Sequence, residues 1–198
     1  MRPVSKTVVA FLCVSIAVSA ADHPEFKAKP ASSYANKQTS ENVTIAVEQY
    51  ETDEQTKEPF GKVNPFRHGV LPVLVVIENK GKDAINLNRM KLRYVLPDRT
   101  KVENTPASEV RYLDGVQRPK TVNAPLGGLR IAKTKPGPLS DWTIEGRAFS
   151  APVLAPGETA SGFFYFQTST SAAATVIISG LTHAGSGEEL FYFEIPVK

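Results

Sequence analysis

Apolar and polar residues alternate along much of this chain, and the alternation predicts β-strands. Residues 43–50 follow this pattern, which is typical of a half-buried strand. Residues 70–77 are instead apolar on both alternating faces, so we expect a central strand that is covered on both sides. Its expected partner is a strand over residues 85–96, in which the alternation changes phase midway. Keeping both apolar sets inward requires an extra residue, which predicts a β-bulge near Asn88 and Arg89.

The C-terminal part of the chain shows the same strand pattern. We expect further strands over residues 149–154, 159–167, 175–181 and 190–197, separated by glycine-containing turns. Thr105 followed by Pro106 is typical of a helix start, which predicts a short helix to about residue 113. About eight short strands with little helix predict an all-β fold, a single antiparallel β-sandwich.

Two segments lack a clear period. Residues 51–62 are charged and are expected to form a solvated loop. Residues 114–148 are interrupted repeatedly by proline and glycine, which predicts a long irregular insertion that is functional or covers part of the sheet. The two-sided apolar character of residues 70–77 favours a cover.

The first twenty residues have the pattern of a signal peptide. Arg2 and Lys6 precede an apolar segment, and small residues follow it up to a cleavage site near Ala20 or Ala21. The apolar segment is too short to span a bilayer as a stable helix, so no integral membrane protein is expected after its removal. We therefore expect a secreted or periplasmic protein with three parts. These are the signal peptide (1–20), a flexible leader (21–41) and the β-sandwich domain (42–198).

Removing the signal peptide changes the charge and the thiol content. The whole chain has 23 basic and 20 acidic residues and a net charge of +3. Cleavage after Ala20 removes Arg2 and Lys6 and leaves 21 basic against 20 acidic residues, which argues against nucleic acid as a partner. The only cysteine, Cys13, leaves as well, so the mature chain has no thiol for disulfides, thiolate catalysis or sulfur-bound metal.

Aromatic residues in two predicted strands form the first candidate binding site. Phe163 and Tyr165 share one face of their strand, and Tyr192 lies in the last strand. If the three side chains were exposed side by side, they would form a platform for sugar rings or for a protein partner. The alternative, which we favour, is that the insertion with Trp142 covers them.

Basic residues of the insertion form the second candidate, and Arg130, Lys133 and Lys135 are its core. They would suit an acidic protein or an anionic glycan, unless they belong to an ordinary solvated face. No pattern of catalytic residues or phosphate-binding glycines is present, and His68 and His183 lie in predicted loops or strand ends. We expect no enzymatic activity and no cofactor, although a hydrolase hidden in the insertion is a third class to consider.

The start of the mature chain offers one metal site. If cleavage follows Ala20, the chain begins Ala21-Asp22-His23. Its free amine, two deprotonated backbone amides and the imidazole can then surround Cu(II) or Ni(II) in a square plane. Cleavage after Ala21 would place the histidine second and remove the site.

Two turn motifs resemble those of immunoglobulin-like modules from exported bacterial proteins. In those modules an apolar strand ends at Asn-x-Gly, as at Asn79 and Gly81, and a Pro-Gly-Glu turn precedes a strand rich in phenylalanine, as over residues 154–166. The resemblance implies an immunoglobulin-like β-sandwich and offers no catalytic residue. We therefore expect an exported, non-enzymatic binding or scaffolding module for a protein or glycan partner in the cell envelope. Binding of Cu(II) or Ni(II) at the amino terminus is the alternative.

Overall fold

The structure is a computed structural model that describes residues 26–115, 121–123, 129–131 and 135–197. Three helices are assigned in these residues: α1 (Asp53–Phe60), α2 (Ala107–Val110) and α3 (Trp142–Gly146). The strands in chain order are β1 (Lys37–Ser40), β2 (Val43–Gln49), β3 (Leu71–Asn79), β4 (Ile85–Asn86), β5 (Lys91–Val95), β6 (Lys101–Glu103), β7 (Thr121–Asn123), β8 (Leu129–Ile131), β9 (Val153–Leu154), β10 (Thr159–Phe166), β11 (Thr175–Ser179), β12 (Thr182–His183) and β13 (Phe193–Pro196).

Two antiparallel sheets of four strands pack face to face and confirm the predicted all-β sandwich. The first sheet has the order β1-β2-β3-β10 and the second has the order β13-β11-β5-β6. Strands β2, β3 and β10 correspond to A, B and E of an immunoglobulin-like sandwich, and β13, β11, β5 and β6 correspond to G, F, C and C′. A small sheet, β12-β4-β9, lies at one end, and a hairpin of β7 and β8 forms within the segment predicted as an insertion.

Strand β3 is central and buried on both faces, as its sequence predicts. Leu71, Val73 and Val75 face the second sheet and join the main core, in which Tyr94 and Val176 are also buried. The opposite face of β3 packs in a second apolar cluster. Because a strand of an antiparallel sheet commonly keeps one face in water, this second cluster marks the first sheet as the covered one.

A layer of short elements covers the outer face of the first sheet. We name it the cover layer and define it as residues 26–34, helices α1, α2 and α3, and the 3₁₀ helix Pro138–Ser140. Phe60 of α1, Val110 of α2 and Ile144 of α3 are buried there against the sheet. Part of the segment predicted as an insertion therefore does cover the sheet, together with elements from elsewhere in the chain.

The segment expected to be a flexible leader instead packs on the sandwich from residue 26 onward. Strand β1 pairs with β2 over its whole length, and Ala31 is fully buried. The Phe26 ring lies 5.5 Å from the Phe163 ring, centroid to centroid. Single apolar residues in this polar segment each fill a separate gap, so they produce no helical or strand period that the sequence could reveal.

Strand pairing differs from the expectation in one important respect. Strand β3 pairs with β2 and β10, and not with the strand predicted over residues 85–96. That segment divides into β4, which pairs with β9 and β12, and β5, which pairs with β6 and β11. The phase change near Asn88 therefore marks a switch between sheets and not a β-bulge. Both arrangements return apolar residues to the core, so the sequence alone did not distinguish them.

Helix α1 replaces the loop predicted over residues 51–62. Its start is a capping box, in which the Gln55 amide donates to Thr52 Oγ1 at 3.3 Å and Gln55 Oε1 accepts from the Thr52 amide at 3.1 Å. The helix buries only Thr56, Pro59 and Phe60, too few for a visible period. Helix α2 is also shorter than predicted and begins after Pro106, without a side-chain cap from Thr105.

Asn79 joins the two turn motifs that carry the immunoglobulin-like resemblance. Its buried side-chain amide donates to the carbonyl oxygens of Asp83 at 2.8 Å and Leu154 at 3.2 Å, and Asn79 Oδ1 accepts from the Gly81 amide at 2.9 Å. The Asn79 carbonyl also accepts from the amide of Gly157 at 2.7 Å. The Asn-x-Gly and Pro-Gly-Glu motifs are thus one structural unit that fixes a corner of the sandwich.

Candidate functional site

Within residues 26–115, 121–123, 129–131 and 135–197, no layer of elements covers the outer face of the second sheet. On β5, Leu92 and Tyr94 point into the core, whereas Lys91 and Arg93 point outward. The register places outward residues in two rows across β13, β11 and β5. These rows are Glu194, Ile177 and Arg93 with Glu103 of β6, and Pro196, Thr175 and Val95 with Lys101 of β6.

A groove of about 600 Å³ lies at one end of this open face. Arg89 and Lys91 are exposed along it, and neither forms an ion pair with a described residue, whereas Arg93 Nε lies 2.8 Å from Glu103 Oε1. Glu189 also lines the groove, where its Oε1 accepts from the Gly180 amide at 3.2 Å. The groove therefore combines two unpaired cations with a carboxylate that is already hydrogen bonded.

Gly180 is required for the shape of this groove. A Cβ atom at this position would lie 2.2 Å from the carbonyl oxygen of Arg89, and the backbone has a φ of +80°. Both features favour glycine, because side chains rarely adopt this φ and the neighbouring atom belongs to the backbone. The end of β11 can thus approach the connection between β4 and β5, which brings Arg89 to the groove.

The exposed edge of the sheet at β13 is protected against strand addition. The Glu194 amide, which points away from β11, donates to Gln38 Oε1 of β1 at 2.7 Å. Pro196 has no amide hydrogen to offer. Because neither position can donate a backbone hydrogen bond outward, an added strand could not form a regular hydrogen-bond ladder with β13. The face of this sheet is therefore more accessible for docking than its edge.

The predicted aromatic platform does not form. Phe163 and Tyr165 each retain 1% of their exposure beneath the cover layer, and Tyr165 Oη donates to the Ile144 carbonyl oxygen at 2.6 Å. Burial raises the pKa of the Tyr165 hydroxyl above its ordinary value. Tyr192 is separate from them and 58% exposed, next to the start of β13. The favoured alternative, a cover over all three aromatics, therefore holds for Phe163 and Tyr165 but not for Tyr192, and Trp142 is itself 45% exposed.

The basic residues predicted in the insertion are only partly described. Lys135 is exposed just before the 3₁₀ helix of the cover layer. Arg130 lies within β8, and its side chain is outside the description, as is the whole of Lys133. The described residues therefore do not test whether these three basic residues form one site, and a basic binding surface on the insertion stays a prediction.

The amino-terminal metal site also stays a prediction. Ala21, Asp22 and His23 lie outside the described residues, as does the signal peptide. Within the described part of the chain, no helix is long and apolar enough to cross a membrane.

The two described histidines each contact a carboxylate. His68 Nδ1 lies 3.1 Å from Asp114 Oδ2 and joins the 3₁₀ helix Pro65–His68 to the start of the predicted insertion. His183 Nε2 lies 3.1 Å from Glu41 Oε2 and joins β12 to the turn between β1 and β2. Each pair links two segments that are distant in sequence, and such a contact helps to hold the fold together.

Sequence reasoning did not select Arg89 and Lys91 as candidates, although a signal for them was present. Both alternate with Met90 and Leu92, so they were expected on the polar face of a strand. The sequence pattern does not show that β5 pairs with β11. This pairing places the polar face of β5 beside Gly180 and so creates the groove.

Comparisons with known proteins yield only distant likenesses. No family model matches the sequence, and no curated protein matches it. A solved structure from Bacillus subtilis, provisionally described as a lipoprotein, is 14% identical with a TM-score of 0.38 and shares 81% of this chain. The match spans 38% of that protein's length. A Bordetella pertussis protein provisionally described as ApaA is 12% identical, with a TM-score of 0.33 and coverage of 78% and 93%. Likenesses this weak add nothing to what the strand order shows.

Proposed function

We propose that this protein is an exported, non-enzymatic binding module that docks a protein partner on the outer face of the β13-β11-β5-β6 sheet. The observation that carries the proposal is the contrast between the two sheets. Strands β2 and β3 of the first sheet are buried on both faces, whereas none of the described residues forms a layer over the outer face of the second sheet, whose outward side chains are half-buried or exposed. Export rests on the signal-peptide pattern of residues 1–20.

The chemistry of the open face favours a partner with acidic side chains around a small apolar contact. Arg89 and Lys91 supply positive charge at the groove without an ion-pair partner among the described residues. Ile177 lies half-buried in the middle of the face, and the exposed Tyr192 precedes β13, whose Glu194 is the register partner of Ile177. Aromatic and apolar residues at the centre with charges near the rim are typical of protein interfaces.

Charge reversal tests this docking face. The double variant Arg89→Glu with Lys91→Glu reverses the charge of the two cationic positions in the groove. It leaves the buried core unchanged. Lys27→Glu with Lys29→Glu is the matched control, because it makes the same change of charge at two exposed positions on the covered side. The measurement is quantitative mass spectrometry of proteins captured by the tagged mature protein from its native envelope fraction.

The expected result is a specific protein captured equally by the wild type and the control variant. Its capture should fall at least about tenfold with the groove variant, since like charges at an interface cost several kcal/mol. The captured amount should also decline with added salt, because exposed charges are screened. Equal capture by all three proteins would contradict the proposed docking face.

A further inference from the structure

A second pocket lies on the covered side of the molecule, between the end of α1 and the start of α3. Its volume is about 250 Å³, and Lys57, Lys62, Asp141, Trp142 and Arg147 contribute to its lining. A pocket of this size is smaller than a typical site for a drug-sized ligand and suits a single sugar ring. It is distinct from the open face, because α1 and α3 pack on the opposite side of the sandwich.

Trp142 forms a fixed aromatic wall of this pocket. Asp141 precedes it and caps α3, since Asp141 Oδ1 accepts from the Thr143 amide at 2.9 Å and from Thr143 Oγ1 at 2.8 Å. The indole packs over Gly146, where an added Cβ would lie 3.0 Å from two ring carbons. The Trp142 side chain is nevertheless 45% exposed. It is thus a held aromatic surface and not a loose surface residue, which reduces the entropy lost on binding.

Positive charge surrounds the indole. The Arg147 guanidinium carbon lies 5.6 Å from the Trp142 ring centroid, within the range of a cation–π contact. Lys57 and Lys62 add two ammonium groups that form no ion pair with a described residue. Two carboxylates, Glu58 and Asp141, also line the pocket, so its three cations exceed the opposing charge by one. The pocket therefore favours an anionic group.

We propose that this pocket binds one carboxylate-bearing sugar unit of an acidic glycan. The apolar face of a pyranose would stack on Trp142, and its carboxylate would lie between the Lys57 and Lys62 ammonium groups. Aromatic side chains provide a large contact area with a fixed geometry, and lysine ammonium groups provide several donors to a carboxylate. This site is independent of the protein-docking face, so either proposal can fail without the other.

Trp142 is the only tryptophan of the chain, so its fluorescence reports directly on the pocket. The experiment titrates the mature protein with trigalacturonate and follows the emission of Trp142. The fully methyl-esterified trimer is the matched ligand, because it has the same rings without the charges. Triglutamate is the second comparison, because it has the charges without the rings.

The expected result is a saturable change in emission with trigalacturonate, with affinity at least about tenfold weaker for either comparison ligand. Lys57→Ala with Lys62→Ala should weaken binding by a similar factor, whereas Lys80→Ala with Lys82→Ala, at the opposite end of the sandwich, should not change it. All four lysines are outside the apolar clusters, so these variants keep the fold. No response up to about 10 mM trigalacturonate would overturn the proposal. Equal binding of the ester would overturn the role of the carboxylate, and equal binding of triglutamate would overturn the role of the sugar ring.

Discussion

Replacing Gly162 by alanine tests how the cover layer is joined to the first sheet. The chain at residues 147–149 runs alongside the outer edge of β10, where the Phe149 amide donates to the Phe163 carbonyl at 3.1 Å and the Phe163 amide donates to the Arg147 carbonyl at 2.8 Å. A Cβ at position 162 would lie 2.4 Å from the Cα of Phe149 and 2.6 Å from its nitrogen. Backbone atoms cannot rotate away as a side chain can, so residues 147–149 must move.

The expected loss of stability follows from these contacts. Overpacking against a rigid neighbour costs about 1–3 kcal/mol, and each of the two backbone hydrogen bonds contributes about 1 kcal/mol. We therefore expect Gly162→Ala to lower the free energy of unfolding by about 3–5 kcal/mol. Because α3 directly precedes residue 147, the fluorescence of Trp142 should also change before global unfolding.

Urea unfolding followed by circular dichroism measures this change, and amide hydrogen exchange at Phe149 and Phe163 locates it. Gly185→Ala is the matched control, because nothing lies within 4 Å of its added Cβ, and we expect an effect below about 0.5 kcal/mol. If Gly162→Ala unfolded within about 0.5 kcal/mol of the wild type, with both amides still protected, the described close approach would be wrong.

Three further predictions concern separate parts of the chain. Asn79→Ala removes three side-chain hydrogen bonds that join two turns, so urea unfolding should show a loss of about 2–4 kcal/mol; an unchanged midpoint would contradict that role. Burial raises the pKa of both Tyr50 and Tyr165 above 10.0, so the folded state favours their protonated forms. The associated stability is present below pH 10 and is lost as the pH rises further, which urea midpoints and the tyrosinate absorbance across this range would detect. Protein shown by mass to be cleaved after Ala20 should develop a visible Cu(II) band that His23→Ala abolishes, and the absence of any band would remove the metal hypothesis.

The sequence predicted the covered sheet better than it predicted the open one. Strand β3 is apolar on both faces, and this pattern occurs only where two layers meet a strand, so its central position could be inferred. The turn chemistry at Asn79 and at residues 156–158 was also informative, because local backbone geometry requires those residue types. Both signals depend on neighbours close in sequence.

The candidate binding face depends on contacts between distant segments. The phase change near Asn88 is compatible with a bulge or with a change of sheet, and only the pairing of β5 with β11 decides between them. The groove then depends on Gly180, whose need for glycine comes from a carbonyl about ninety residues earlier in the chain. Helix α1 is a different case, because the capping box of Thr52 and Gln55 is a sequence signal that could have identified it.

The position of Trp142 could not be predicted from its neighbours in sequence. It was expected to cover the aromatic residues of β10, but Leu139 and Ile144 fill that role and leave the indole at the surface. The helix that carries it is only five residues long, too short for its buried face to produce a period. Lys57 of α1 and Lys62, which follows that helix, line the same pocket although both are far from Trp142 in sequence.

Site-specific photocrosslinking in the native envelope tests the proposed binding function most directly. A photoreactive phenylalanine analogue at Tyr192 would report on the open face, and the same analogue at Lys29 would report on the covered side, because both positions are exposed. We expect a discrete crosslinked protein from position 192 and none from position 29. Its yield should fall when Arg89 and Lys91 are reversed in charge. Crosslinks of equal yield from both positions, or from position 29 alone, would contradict the assignment of the open sheet as the docking face.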